Sequence, residues 1–425
     1  MSAFWFSVAA VYDRRAWARL CAGCPHPAGC EASDNSRGEG TPPTDIPPAV
    51  TGRRGRSKPG RAALLGFFSL IAAALHAGEP EPKYDYYLPS RWNTVSMGVY
   101  TADLAPALRI KSGEIVKLDI ANPSGAGRSN PKKFFNDHNI PLDFPVARDL
   151  LEILEKTPRD PRGLSGQILT GPIYVEGAEP GDSLEVRMID VRFRTHYGVN
   201  STSPGGGHPL ADLVPRPWTK KFDLDLDRSV ALFKPGEIEL PLAPFFGQIG
   251  IAPPAATGGY ASSPPTAIHG GNFDLQELAR GGTLFLPVNV DGARFFTGNG
   301  HALQGNGEIT NPSLEVSLTG YFQFIVHKNK PLKMSRMETP THYVFVGIHD
   351  SLDECVRQAT QQCVEFLQKK EGLDFYDAYA LTSLSGDLAV VRALLPAQMV
   401  SLLLPKHIFK TQTDYWYKGP SPTKY

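Results

Sequence analysis

Imidazole and carboxylate side chains gather beside glycine in three stretches of this 425-residue chain. Residues 169–182 carry Glu176, Glu179 and Asp182; residues 268–274 carry His269 and Asp274; residues 298–308 carry His301 and Glu308. Histidine, aspartate and glutamate are the side chains that hold divalent metals or move protons at neutral pH, and glycine, lacking Cβ, lets backbone approach a small ligand closely. Each stretch also has a plainer reading. Glu179-Pro180-Gly181-Asp182 has the chemistry of a hairpin turn, Glu176 before it of a solvated side chain, and His269 with Asp274 of a capped turn. The third stretch is the most specific of the three, being too rich in glycine for a helix or a regular strand. Other chemistries lack their residues. The runs of glycine neither end in Lys-Ser/Thr nor open helices, which excludes a phosphate-cradling loop or a dinucleotide fingerprint. Serine-amidase signatures are missing, and Cys355 and Cys363 fall on an apolar helical face, where a thiol is core rather than nucleophile.

Strands must position these groups. Gly 41 and Pro 38 exceed ordinary usage and favour many short strands joined by shaped loops. Leu108 and Ile110, then Ile115, Val116, Leu118 and Ile120, flank Lys111-Ser112-Gly113-Glu114 and predict a hairpin. Residues 173–175 and 184–188 repeat the pattern around the turn at Pro180-Gly181. Further strands are predicted at 229–233, 237–241, 283–290, 314–328 and 342–348. Apolar spacing predicts helices over 145–156, from Ser351 with a capping box through Glu354, and over about 375–395. No repeat indicates a solenoid.

The chain carries 43 basic and 43 acidic side chains, so no global field attracts nucleic acid. Residues 31–61 hold almost no large apolar side chain and are expected to be disordered. Arg53, Arg54, Arg56, Lys58 and Arg61 then precede an uncharged run from Ala62 to Leu75 and small residues at Ala77 and Gly78. Basic, apolar, small is the order of a secretory signal, here over residues 50–77, with cleavage near Ala77 and export to the periplasm or medium. A signal that begins so far in implies a start near Val50 and makes residues 1–49, with the Cys21-x-x-Cys24 pair, a leader outside the working protein.

The three stretches, together with residues 240–245, 250–253, His342-Tyr343 and the segment from Asp377 to Leu388, resemble in matching order the acetamidase/formamidase family over about residues 90–410. The resemblance implies a mainly β fold, a jelly-roll-like β-sandwich over 78–335 with an α+β portion over 336–425 on the same unit. It implies hydrolysis of small linear amides to carboxylate and ammonia, with a divalent metal, zinc or calcium, at the site. Glu176, His269, Asp274 and His301 have the chemistry of metal ligands. Glu179, Asp274, His301 and Glu308 have that of proton-transfer groups, and glycine N–H groups of the third stretch that of oxyanion donors. The expected partners are a small amide substrate and further copies of the chain in a homo-oligomer, with neither nucleic acid nor, after signal removal, membrane. Two departures stand out: Asn299 and Asn306 occupy positions where the family motif reads aspartate, and Ser165-Gly166-Gln167 precedes Thr170-Gly171-Pro172 without the histidine many members carry. An amide oxygen ligates but brings no charge, so the alternative is a small-ligand-binding protein on the same scaffold.

Overall fold

Branched and aromatic residues alternating between turn-formers make strands of most of the chain. A computed structural model describes residues 80–122, 130–164, 166–394, 397–411 and 415–419. The expected leader, signal and Cys21-x-x-Cys24 pair, and Ser165, lie outside the described residues. No helix among the described residues is long and apolar enough to cross a membrane.

The strands form two large sheets. A nine-stranded sheet runs in the order Tyr86–Leu88, Ile115–Asp119, Leu318–His327, Ser183–Phe193, Thr283–Pro287, Arg336–Glu338, His342–His349, Gln398–Pro405, Asp387–Arg392. A twelve-stranded sheet has Phe295–Leu303 at its middle, with Phe245–Gly250 along one edge. Its other edge is shared by Ile168–Val175 and Leu314–Val316, since residues 295–298 pair with the first and 300–303 with the second. The sheets face each other across one apolar core. Phe246 of one meets Phe322 of the other at 5.0 Å, and Phe295 meets Phe324 at 4.9 Å, edge to face. Removing any one of these fully buried rings would cost about 3–5 kcal/mol. The architecture is therefore the expected mainly β sandwich, and residues 336–405 extend its nine-stranded sheet by four strands.

The helix expected at 145–156 is observed as Pro145–Lys156, with Pro145 in the first turn where its missing N–H is harmless. Leu352–Glu371 packs on His342–His349 and stops at Gly372 in a left-handed conformation (φ 68°). Its Cys355 and Cys363 are free and buried. Five local expectations are corrected. Ile168–Val175 and Ser183–Phe193, on either side of the Pro180-Gly181 turn, lie in different sheets and do not form a hairpin. Leu108–Ile110 and Ile115–Asp119 do not form a hairpin. The first pairs in parallel with Ile168–Val175 and the second antiparallel with Leu318–His327, so the turn between them links two sheets. Local alternation specifies a strand but not its partner. Ser351 makes no side-chain cap, leaving Asp353 and Glu354 to favour that helix end. The helix expected over 375–395 ends at Ser385, and Asp387–Arg392 pairs with Gln398–Pro405, because Leu388, Val390 and Val391 find a neighbouring strand. The stretch 298–308 begins as regular strand after all. Gly298 and Gly300 lie so close to the carbonyls of Ile168 and Val316 that a Cβ would sit 2.2 and 2.6 Å from them.

Candidate active site

The middle strand Phe295–Leu303 sets the site. His301 stands opposite Phe245 on one side and Glu315 on the other, and its ring, wholly buried, meets Phe245 edge to face at 4.9 Å. Asp274 follows the short strand Gly270–Asn272, held by its N–H donating to the carbonyl of Gly247 (3.0 Å). Glu308 follows the loop out of the middle strand, pinned where the Gly307 N–H donates to Val391 (3.0 Å) and Gly307 accepts from Ala393 (3.0 Å). Three residues here have left-handed backbones without being glycine: Asp274 (φ 48°), Asn299 (φ 51°) and Glu308 (φ 44°). Such conformations cost about 1–3 kcal/mol each, and they persist where surrounding structure imposes them for a purpose.

Ligand atoms of Asp274, His301 and Glu308 all lie within 4.8 Å of one another, and all three residues are buried. His301 Nε2 is 3.8 Å from Asp274 Oδ1 and 4.0 Å from Glu315 Oε1. Gln304 decides the tautomer of His301. Its Nε2 donates to the Asp274 carbonyl (2.7 Å), which turns its Oε1 toward His301 Nδ1 at 2.9 Å, so the neutral ring carries its proton on Nδ1. The Nε2 lone pair then faces Asn299 Oδ1 at 2.9 Å, while Asn299 Nδ2 donates to Glu315 Oε1 (2.9 Å). Two lone pairs held that close repel unless a proton or a metal cation lies between them.

Asp274 is asymmetric. Oδ2 accepts from Asn272 Nδ2 (2.6 Å) and Arg392 Nη1 (3.2 Å), whereas buried Oδ1 has no partner. Gly247 makes the convergence possible, since a Cβ there would lie 2.6 Å from both Asn299 Oδ1 and Asp274 Oδ1. Burial and then the neighbouring Asp274 charge hold the Glu308 carboxyl well above the usual range, against the pull of Arg392. Burial pushes His301 down, opposed by Asp274 and the bond to Gln304.

Of the residues the sequence singled out, Asp274, His301 and Glu308 come together. His269 is buried but stands outside this trio, its ring 5.3 Å from that of Tyr100, and burial alone takes it down to about 4. Glu176 and Glu179 are exposed on the turn before Ser183–Phe193 and are not part of the cluster. Glu179 pairs with Lys328 (2.7 Å), and Asp182 caps the turn by accepting from the Glu179 N–H (2.9 Å). The turn chemistry of that stretch thus puts Glu176 and Glu179 in solvent and buries Asp182 as its cap. Asn306 is also exposed, accepting from Gln276 Nε2 (3.2 Å), so only Asn299 of the two asparagines adjoins the trio. Sequence reading missed Arg392, Glu315 and Gln304. Glu315 alternates with apolar neighbours in a strand and Arg392 was placed on a helix, so neither carried a local sign of its surroundings.

The fold is shared with solved amidases. The crystal structure of a protein described as a predicted acetamidase/formamidase from Thermoanaerobacter tengcongensis matches 76% of this chain and 96% of its own, at a TM-score of 0.62 and 25% identity. That of an acetamidase from Bacillus halodurans matches 76% and 98%, at 0.61 and 27%. The sequence model of the acetamidase/formamidase family matches residues 164–258 and 254–411, and the chain belongs to that family. A formamidase of Methylophilus methylotrophus is 28% identical over 274 residues, 47% of this chain and 66% of the relative, so the match spans just under two thirds of that relative's length.

Proposed function

We propose that this protein hydrolyses small linear amides, formamide and acetamide being the simplest, to carboxylate and ammonia. The names of its relatives support the substrate class, and the convergence of buried Asp274, His301 and Glu308 carries the chemistry. The donors fit a divalent ion. Asp274 Oδ1 and Glu308 Oε2 lack partners, and the His301 Nε2 lone pair meets an amide oxygen where a cation would relieve both. Asp274, His301 and the Asn299 oxygen would hold it, and an imidazole among the ligands favours zinc over calcium, whose ligands are oxygens. When bound, such an ion polarises a carbonyl and lowers the pKa of water toward neutrality.

The protein's own groups account for the proton. Glu308 as carboxylate takes a proton from the attacking water and returns it to the departing nitrogen, so the C–N bond breaks as the C–O bond forms and the side chain is regenerated. Its burial raises its proton affinity, which suits that double role. Gln304 holds the imidazole with Nε2 inward, and Arg392 holds Asp274 with Oδ1 inward.

Ammonia release from formamide and acetamide, with metal analysis of the protein, tests the proposal. The wild type is expected to contain about one divalent ion per chain and to release ammonia, and Glu308→Gln to retain fold and ion while losing turnover by at least about 10²-fold. A fully active Glu308→Gln removes Glu308 from the scheme. The uncharged amide of Asn299 beside His301 favours one second reading, a non-catalytic binder of small amides, which binding without ammonia release would support.

A further inference from the structure

In and beside the trio, four buried polar atoms have no hydrogen-bond partner: Asp274 Oδ1 of the trio itself, and Gln248 Nε2, His269 Nε2 and Asn272 Oδ1. Buried polar groups are almost always bonded, and each that is not costs about 1–3 kcal/mol, so four in neighbouring positions require an explanation. They are neighbours by construction. Gln248 stands opposite Asn272 in the pairing of Phe245–Gly250 with Gly270–Asn272, His269 immediately precedes that second strand, and Asp274 follows it. Tyr100 ties the group together. Its buried ring meets His269 edge on at 5.3 Å, its hydroxyl donates to Gln248 Oε1 (3.3 Å), and Gly250 admits it, since a Cβ there would lie 2.8 Å from the ring. With Oε1 turned to the tyrosine, the Gln248 amide presents its N–H groups away from it. The backbone of Gln248 is held as firmly, its carbonyl accepting from Thr297 Oγ1 (2.7 Å).

A primary carboxamide has one oxygen that accepts two hydrogen bonds and one nitrogen that donates two. With Asp274 Oδ1 taken up by the ion, the other three orphan atoms match it: two nitrogens able to donate and one oxygen able only to accept. We propose that Gln248 and His269 are substrate-binding residues that donate to the carbonyl oxygen of the amide, while Asn272 Oδ1 receives one of its N–H groups. This rests on the reading of the site as that of an amide hydrolase and adds to it the groups that grip the substrate. Donors aimed at a carbonyl oxygen also meet the negative charge that develops there on attack by water, so Gln248 and His269 act in the step as well as in binding. The carboxylate product has no N–H to offer, leaving Asn272 Oδ1 facing an anion, and it departs for that reason.

The test compares Gln248→Met and His269→Phe with the wild type on acetamide and on thioacetamide, whose sulfur is a much poorer acceptor, by ammonia release; circular dichroism and thermal unfolding verify the fold. On acetamide each variant is expected to lose about 10²-fold in kcat/KM, the usual effect of removing one such donor. On thioacetamide the same variants are expected to lose less than about 3-fold, because the missing bond was weak there. Equal losses on both substrates, as from a general disturbance of packing, overturn the proposal, as does an undiminished rate on acetamide. Should the wild type release no ammonia from either, the hydrolase reading fails, and the binding role is judged by saturation-transfer NMR with acetamide. Binding by the wild type that Gln248→Met abolishes supports it; binding by both proteins, or by neither, overturns it. A variant that unfolds is replaced by Gln248→Glu, of the same shape without the donor, held to the same outcomes.

Discussion

Arg392 ties the edge strand of one sheet to the site in the other, and its replacement by methionine measures how much of the site's order comes from that tie. The guanidinium Nη1 contacts Asp274 Oδ2 at 3.2 Å and donates to the Asn272 carbonyl at 2.9 Å. Its Nε and Nη2 donate to the Ala397 carbonyl at 3.1 and 3.0 Å. The two charged side chains are only 6% and 1% exposed, so this pair lies beyond the reach of solvent screening. Breaking a buried pair by removing one partner costs about 3–5 kcal/mol, mostly because the remaining charge is stranded. Arg392→Met, with similar length and no charge, should therefore lower stability by about 4 kcal/mol, out of a total of about 5–15 for a typical domain. Urea unfolding followed by circular dichroism, in the presence of a chelator so that no cation substitutes for the guanidinium, should show the midpoint falling by about 1–2 M. The decisive comparison is the double variant Arg392→Met/Asp274→Asn. With the stranded carboxylate neutralised, it should recover about 2 kcal/mol relative to Arg392→Met alone. An unchanged midpoint for Arg392→Met, or a double variant whose loss equals the sum of the two single losses, refutes the argument.

Glu277, buried with Oε1 unpartnered, is held up at about 7 by burial. Its folded pKa lies above the unfolded one near 4.5, so the penalty is absent below pH 4.5, grows as pH rises through 7 and then levels off at about 3 kcal/mol. Glu277→Gln should match the wild type in thermal unfolding at pH 4 and exceed it at pH 8; an equal difference at both pH values contradicts this. Gly247→Ala places a Cβ 2.6 Å from both Asn299 Oδ1 and Asp274 Oδ1. Displacing the reacting groups by even a fraction of an ångström should lower kcat/KM for acetamide by about 10²-fold while the protein still folds, and full activity would show that these two oxygens need not converge.

The fold was legible wherever a residue's preference and its surroundings agree. The strands at 230–234, 238–241 and 342–349 and the helix at 145–156 follow from apolar period and turn residues alone. Legibility failed where partner choice decides the outcome. Residues 387–392 have apolar side chains compatible with either helix or strand, and only the presence of Gln398–Pro405 alongside makes them a strand. Likewise 108–110 and 115–119 are strands whose two neighbours lie in different sheets, which no local pattern records.

The sequence by itself determined the residue types: glycines that permit close approach, and Asp274, His301 and Glu308 as side chains able to bind a cation or carry a proton. Tertiary structure alone decided which of the nominated groups meet. The turn at Pro180-Gly181 sends Glu176 and Glu179 into water, while the pairing of strands far apart in the chain buries Asp274, His301 and Glu308 with Glu315 and Arg392. The reason is physical. A side chain's chemistry is intrinsic to it, but its burial, its charge neighbours and the direction of its lone pairs are properties of the surrounding packing, and that packing is made by segments up to more than a hundred residues away in the chain.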